Sequence, residues 1–214
     1  MLSPLASNRV QDAKYTKSYG LTIDGWFIEL HGTLRNSLSS RMDRVIDEVQ
    51  KDTFENAKVR LCRIKEADVM MPNADNDLFL LFTHFVRHFY KGSFSLRQLC
   101  DWCRLMWTYR GVIDTVLLEK RLHKAGLLNE WKAFAALVVN DLGMPIEAMP
   151  LYEAYACWLK KGAKILDFIL KDKKANKVRN TMFIAKIFPW NAICFLPSIF
   201  FNINRMKIKE RIIH

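Results

Sequence analysis

Apolar and polar positions alternate along the first third of the chain, and then the period changes. Residues 21–34, "LTIDGWFIELHGTL", alternate around Trp26, Ile28 and Leu30, which predicts a strand. Residues 58–71, "KVRLCRIKEADVMM", predict two short strands joined by a polar turn at Lys65 to Asp68. Between them, "SSRMDRVIDEVQKDTF" reads as a short helix or a polar excursion. After Pro72 the pattern is helical. "DNDLFLLFTHFVRHFYKG" opens with carboxylates, which suit a helix N-terminus, and stops at Gly92. Ser93 or Ser95 caps the next helix, "LRQLCDWCRLMWTYR", which ends at Gly111. Asp114 caps a third, running to Gly126. "NEWKAFAALVVNDLG" is a fourth, and "MPLYEAYACWLKKGAKILDFILK" a long fifth, followed by the basic linker "KDKKANKVRN".

The change of period predicts an α+β chain, a short β-rich start followed by a mostly α-helical bundle. Three strands are too few for a stable sheet with two good faces. The start therefore reads as the end of a larger α+β domain whose beginning is absent. The expected boundaries are 1–72 for this partial region, 73–175 for a helical domain, and 176–214 for a basic, apolar C-terminal helical segment.

The last apolar run, "MFIAKIFPWNAICFLPSIFFNI" at residues 182–203, is long enough to cross a bilayer. Lys186, Pro189, Asn191 and Pro197 interrupt it, and proline breaks a helix interior unless neighbours compensate. Burial against the helical body is the favoured placement, and a helix lying on a membrane surface is the alternative.

Composition narrows the class. Half of the 214 residues are hydrophobic and 12% are aromatic, which argues against extensive disorder. The opening "MLSPLASNRVQDAKY" lacks the basic stretch and apolar run of a secretory signal. The five cysteines, Cys62, Cys100, Cys103, Cys157 and Cys194, are an odd number, and reduced thiols in a cytoplasmic protein account for them most simply. The net charge of +11 is concentrated. Residues 160–214 hold 13 Lys and Arg against 3 Asp and Glu, whereas residues 1–159 hold 20 against 19. A basic tail attracts nucleic acid, phosphorylated ligands or an anionic membrane, or simply keeps a face solvated. No motif in it specifies a nucleic acid.

Two histidines, His84 and His88, stand one helical turn apart on one face. Cys100 and Cys103 would complete a four-ligand zinc set. That pair, however, lies inside an amphipathic helix and not on a turn whose amides support thiolates, so helix packing is the simpler reading and no stoichiometric zinc is expected. A redox pair would need a βαβ setting and a helix N-terminus beside Cys100. "GSFSLRQLCD" has a Gly-Ser pair before an acid, but Cys103 occupies the place of a second carboxylate. "DND" at Asp75 to Asp77 has carboxylate spacing without a Gly-Ser before it, and reads as a helix start.

Four segments in this order, "IELHGTL", "MPNADNDLFLLFTHFVRHF", "SLRQLCDW" and "WKAFAALVVNDLGMP", resemble the later part of the uncharacterised bacterial nucleotidyltransferase family over about residues 20–145. The resemblance implies a polymerase-β-like nucleotidyltransferase region followed by helices on the substrate side of a cleft. In that superfamily, paired carboxylates and a third on a later strand hold two Mg²⁺, which activate an acceptor hydroxyl and neutralise a triphosphate. Glu29 stands where the third carboxylate, a metal ligand and catalytic residue, would lie; a solvent-facing Glu at a strand edge is the alternative. His84, His88, Arg97 and Asp101 match the helical motifs, which implies a substrate-binding role. Read from the residues alone, the histidines and Asp101 form a polar cluster between two helices, with Asp101 able to orient an imidazole.

The chain departs from the pattern before "IELH". "SNRVQDAKYTKSYG" carries only Asp12, so the Gly-Ser turn and the paired carboxylates are missing. The expectation is a truncated member, catalytically incomplete alone, that would bind Mg²⁺ poorly. Its partners would be a nucleotide or sugar-like acceptor, and a complementary N-terminal fragment or a second copy of itself. A non-enzymatic helical binding or scaffold module, held to the inner-membrane surface through residues 176–214, is the rival reading.

Overall fold

The computed structural model describes residues 19–92, 94–171, 177–195 and 197. Asp12, the alternative cap Ser93, the linker residues 172–176 and the 198–203 end of the apolar run lie outside the described residues. The chain divides into two compact units, residues 1–35 and 36–214.

In the first unit, β1 (Tyr19–Ile23) and β2 (Trp26–Leu30) form an antiparallel hairpin with Leu21 opposite Ile28. The alternation across residues 21–34 suggested one strand, but the Asp24-Gly25 pair folds it back. Both residues have positive φ, 50° and 80°, as a tight two-residue hairpin turn requires. Phe27 lies across Gly20, where an added Cβ would come within 2.8 Å of its ring. Trp26 and Phe27 are 77% and 74% exposed.

The second unit begins with α1 (Ser40–Phe54), a full 15-residue helix rather than a polar excursion. Met42, Val45, Ile46 and Val49 recur at helical spacing and are buried, and the Ser39 side chain accepts from the Met42 amide. A second hairpin follows, β3 (Val59–Ile64) and β4 (Ala67–Pro72), turning at Lys65 with φ 54°. Among the described residues, the β portion is thus two separate two-stranded sheets with four strands, not three strands of one sheet.

The core forms around α2 (Ala74–Lys91), capped by Asn73 and ended by Gly92 in the left-handed conformation. Against it pack α3 (Leu96–Thr108), α4 (Thr115–Ala125) and α5 (Leu128–Asn140). Phe82 contacts Trp131 and Trp102 at 4.7 and 5.5 Å between centroids, and Phe85 meets Phe134 at 4.5 Å. Each such aromatic pair contributes about 0.5–1.5 kcal/mol beyond burial alone.

The expected long fifth helix is shorter. Residues 146–148 form one 3-10 turn, and α6 (Ala156–Lys171) starts only after Pro150 and Leu151, the latter at φ 59°. The helix pair α5 and α6 is in intimate contact, because Gly162 lets backbones approach. Finally α7 (Lys177–Ile187) runs on through a bend at Phe188 into a helical stretch over 189–195. Proline at 189 is tolerated because the Phe188 and Ala192 amides still reach Ile184 and Phe188 carbonyls at 2.8 and 2.9 Å. Among the described residues, no helix is long and apolar enough to cross a membrane. The architecture is α+β, two short hairpins and a helical body.

Candidate functional site

Glu29 stands in β2 opposite Gly20, its carboxylate 3.7 Å from His31 Nε2, with both side chains about half exposed. It belongs to the hairpin unit; the other residues proposed from sequence belong to the helical unit.

His84 and His88 share a face of α2, as their spacing requires. Their ring centroids are 4.6 Å apart and their Nε2 atoms 2.9 Å apart. Two imidazole nitrogens at that distance need a proton on one and a lone pair on the other. Burial, then the charges of Arg87 and Lys91, hold His88 below the usual imidazole value, so its neutral form dominates at pH 7. His84 is exposed. The helix α3 begins where it does because the Ser95 amide donates to the Gln98 side chain at 2.8 Å. It presents Arg97 and Asp101, four residues apart and both exposed. The sequence-proposed substrate residues of the helical unit thus lie mostly on open surface.

Cys100 is exposed and Cys103 half-buried. Burial and the neighbouring Cys100 push the Cys103 thiol up to about 11, which leaves little thiolate for metal or redox chemistry. Among the described residues, no three His, Cys, Asp or Glu side chains gather closely enough to hold a metal ion.

The sequence treated "DND" as a helix start and missed what the three side chains do. Asp75 accepts from the Asp114 amide at 2.9 Å and so fixes the start of α4. Asn76, fully buried, donates to Thr53 Oγ1 at 2.9 Å and accepts from Arg121 at 2.8 Å. Asp77 accepts from the Tyr109 hydroxyl at 2.6 Å, which in turn accepts from Arg60 at 2.7 Å. Burial and the hydrogen bond to Asp77 push the Tyr109 phenol up to about 12. These residues join α1, β3, α2, α3 and α4 at one corner, and each acid is committed to a protein donor.

A second missed group is fully buried. Glu130 Oε1 accepts from Tyr90 and from Asn191, both at 2.5 Å, while Oε2 has no hydrogen-bond partner. Desolvation raises its pKa, against the lowering effect of those hydrogen bonds and of the Lys161 charge. The signal available in the sequence was the one acid of the mostly apolar α5, with Asn191 in the apolar run near the end. A cavity of about 70 Å³ lies among Phe89, Phe94, Phe168, Asn180 and Ile184, too small for a nucleotide.

No curated protein and no solved structure matches the chain. A family model described as uncharacterised nucleotidyltransferase matches residues 6–140, a span that takes in Glu29 and the helices bearing His84, His88, Arg97 and Asp101. On that match, over more than half its length, the chain belongs to the uncharacterised nucleotidyltransferase family.

Proposed function

We propose that the chain serves nucleotidyl transfer by supplying the third carboxylate, Glu29, and acceptor-side helices, and that these 214 residues do not complete the reaction alone. The observation that carries this reading is the family match across residues 6–140. When bound, Mg²⁺ would supply charge neutralisation at the triphosphate and activation of an acceptor hydroxyl. The described donor set does not fit a two-ion site. Hard cations of this size need several oxygen ligands, Glu29 has His31 as its close partner, and the acids of the α2 corner hold protein donors.

What its own residues offer is recognition. The Arg97 guanidinium suits a phosphate or a sugar hydroxyl. A neutral His88 beside His84 can accept or donate a hydrogen bond at an acceptor hydroxyl, and Asp101 can orient such a group. The substrate class is a nucleotide donor with a nucleotide or sugar-like acceptor, and the place of action is the cytoplasm.

Incubation of the purified chain with Mg²⁺ and each labelled nucleoside triphosphate tests this reading. No turnover is expected, and addition of a segment bearing a Gly-Ser turn and paired carboxylates should restore transfer. Turnover by the chain alone, lost on Glu29→Ala, would overturn it.

A further inference from the structure

We infer that the helix over residues 177–195 is a docking face for an anionic lipid surface. This goes beyond the transfer reading and does not depend on it, since the helix lies outside the 6–140 family match. Its inner side is settled: Ile184, Phe188, Ala192 and Phe195, at helical spacing, are buried against the body. Its outer side mixes large apolar residues with the cations Arg179 and Lys186. Met182, Trp190 and Ile193 are 56%, 78% and 68% exposed, and at about 100° per residue they fall within about a quarter turn of one another, opposite the buried row.

Charge identifies the occupant. From residue 173 to residue 209 the sequence contains eight Lys and Arg and not one Asp or Glu. Lys186 is exposed within the same arc, between Met182 and Trp190, Arg179 is exposed on that arc near the helix start, and Arg205, Lys207 and Lys209 follow in the sequence. A face of aromatic and aliphatic side chains interspersed with long cations, whose stems can lie along the apolar surface while their charges reach headgroups, is complementary to a bilayer interface with anionic headgroups. Tryptophan favours that depth, where its ring is apolar and its N–H remains wet. A protein partner would need matching carboxylates around an apolar groove, and a second copy of this chain would bring its own cations against these.

Sedimentation of the full chain with phosphatidylglycerol and with phosphatidylcholine vesicles tests the proposal. Binding should favour the anionic vesicles by about tenfold or more and fall on raising NaCl to about 0.5 M. Trp190→Ser with Ile193→Ser should weaken it by about tenfold or more, with the circular dichroism spectrum unchanged, because both side chains are exposed. Brominated lipids should quench fluorescence in the unmodified chain more than in Trp190→Phe, a readout independent of the double variant's folding. No binding to anionic vesicles, or quenching equal in both chains, overturns the proposal. A concentration-dependent dimer abolished by the double variant also overturns it, by assigning the row to a protein interface.

Discussion

The Arg121 guanidinium donates to the side-chain oxygen of Asn76 at 2.8 Å, while the Asn76 amide donates to Thr53 at 2.9 Å. One buried side chain thereby ties the ends of α1 and α2 to the middle of α4. Asn76→Ala leaves a buried hydroxyl and a largely buried guanidinium short of a partner. The expected loss is about 1–3 kcal/mol in urea unfolding, the range for stranding a buried polar group. A loss under about 0.5 kcal/mol would show that water replaces the amide at both positions.

Glu130 makes stability depend on pH in the direction opposite to most carboxylates. Its folded-state pKa is raised, with desolvation as the largest cause, so the folded chain holds this proton more tightly than the unfolded chain. The stabilisation is fully present below the unfolded value near 4.5 and is lost as pH rises through the folded value. Glu130→Gln should remove that component. The difference in urea midpoint between variant and unmodified chain should move in the variant's favour from pH 4 to pH 8. A constant difference across that range would refute the assignment.

Gly162 sets two small effects against each other. Alanine in a helix interior gains about 1 kcal/mol over glycine. Here, however, its Cβ would stand 2.8 Å from the Leu137 nitrogen and 3.1 Å from the Ala133 carbonyl oxygen, both backbone atoms of α5. Overpacking against backbone costs about 1–3 kcal/mol. Gly162→Ala should therefore lower the melting temperature; a rise would mean that the two helices separate cheaply.

The β1–β2 hairpin should be less protected than the core. A lone two-stranded hairpin is marginal in water, and four of the five β2 residues are exposed. Amides from Phe27 to Leu30 should exchange with solvent far faster than those from Phe82 to Phe85, which lie in the buried middle of α2. Equal protection in a monomer would require a partner for the hairpin that its own burial does not supply.

Where the sequence was legible, a local rule and the tertiary structure agreed. Asp114, Gly92 and Gly126 punctuate helices because capping needs only neighbouring residues. The α2 face was readable because its apolar residues keep helical spacing. The fold-back at Asp24-Gly25 was hidden because a two-residue turn preserves the alternation on both sides, even though that dipeptide was itself a hairpin signal. The start of α6 was misplaced because apolar residues continue through 149–155 while Pro150 and the left-handed Leu151 break the helix. Asn76, Arg121 and Glu130 could not be grouped from sequence, since their partners lie 23 to 61 positions away. Family resemblance nominated Glu29, His84 and Asp101, but spacing alone could not tell that His84 and Asp101 face solvent.

The Asn191 contact to Glu130 has a consequence for how the chain can be divided. Recognition by family likeness stops at residue 140, yet a buried carboxylate inside that span takes a hydrogen bond from a residue 61 positions later. The unit of inheritance and the unit of folding therefore have different edges. A chain cut at residue 140 would keep every residue of the match while uncovering the Glu130 carboxyl and the rings of Tyr90 and Phe89, which Phe195 and Phe188 cover in the intact chain. The matched span does not close its own core: Phe188 and Phe195, which lie beyond residue 140, cover the rings of Phe89 and Tyr90 inside it.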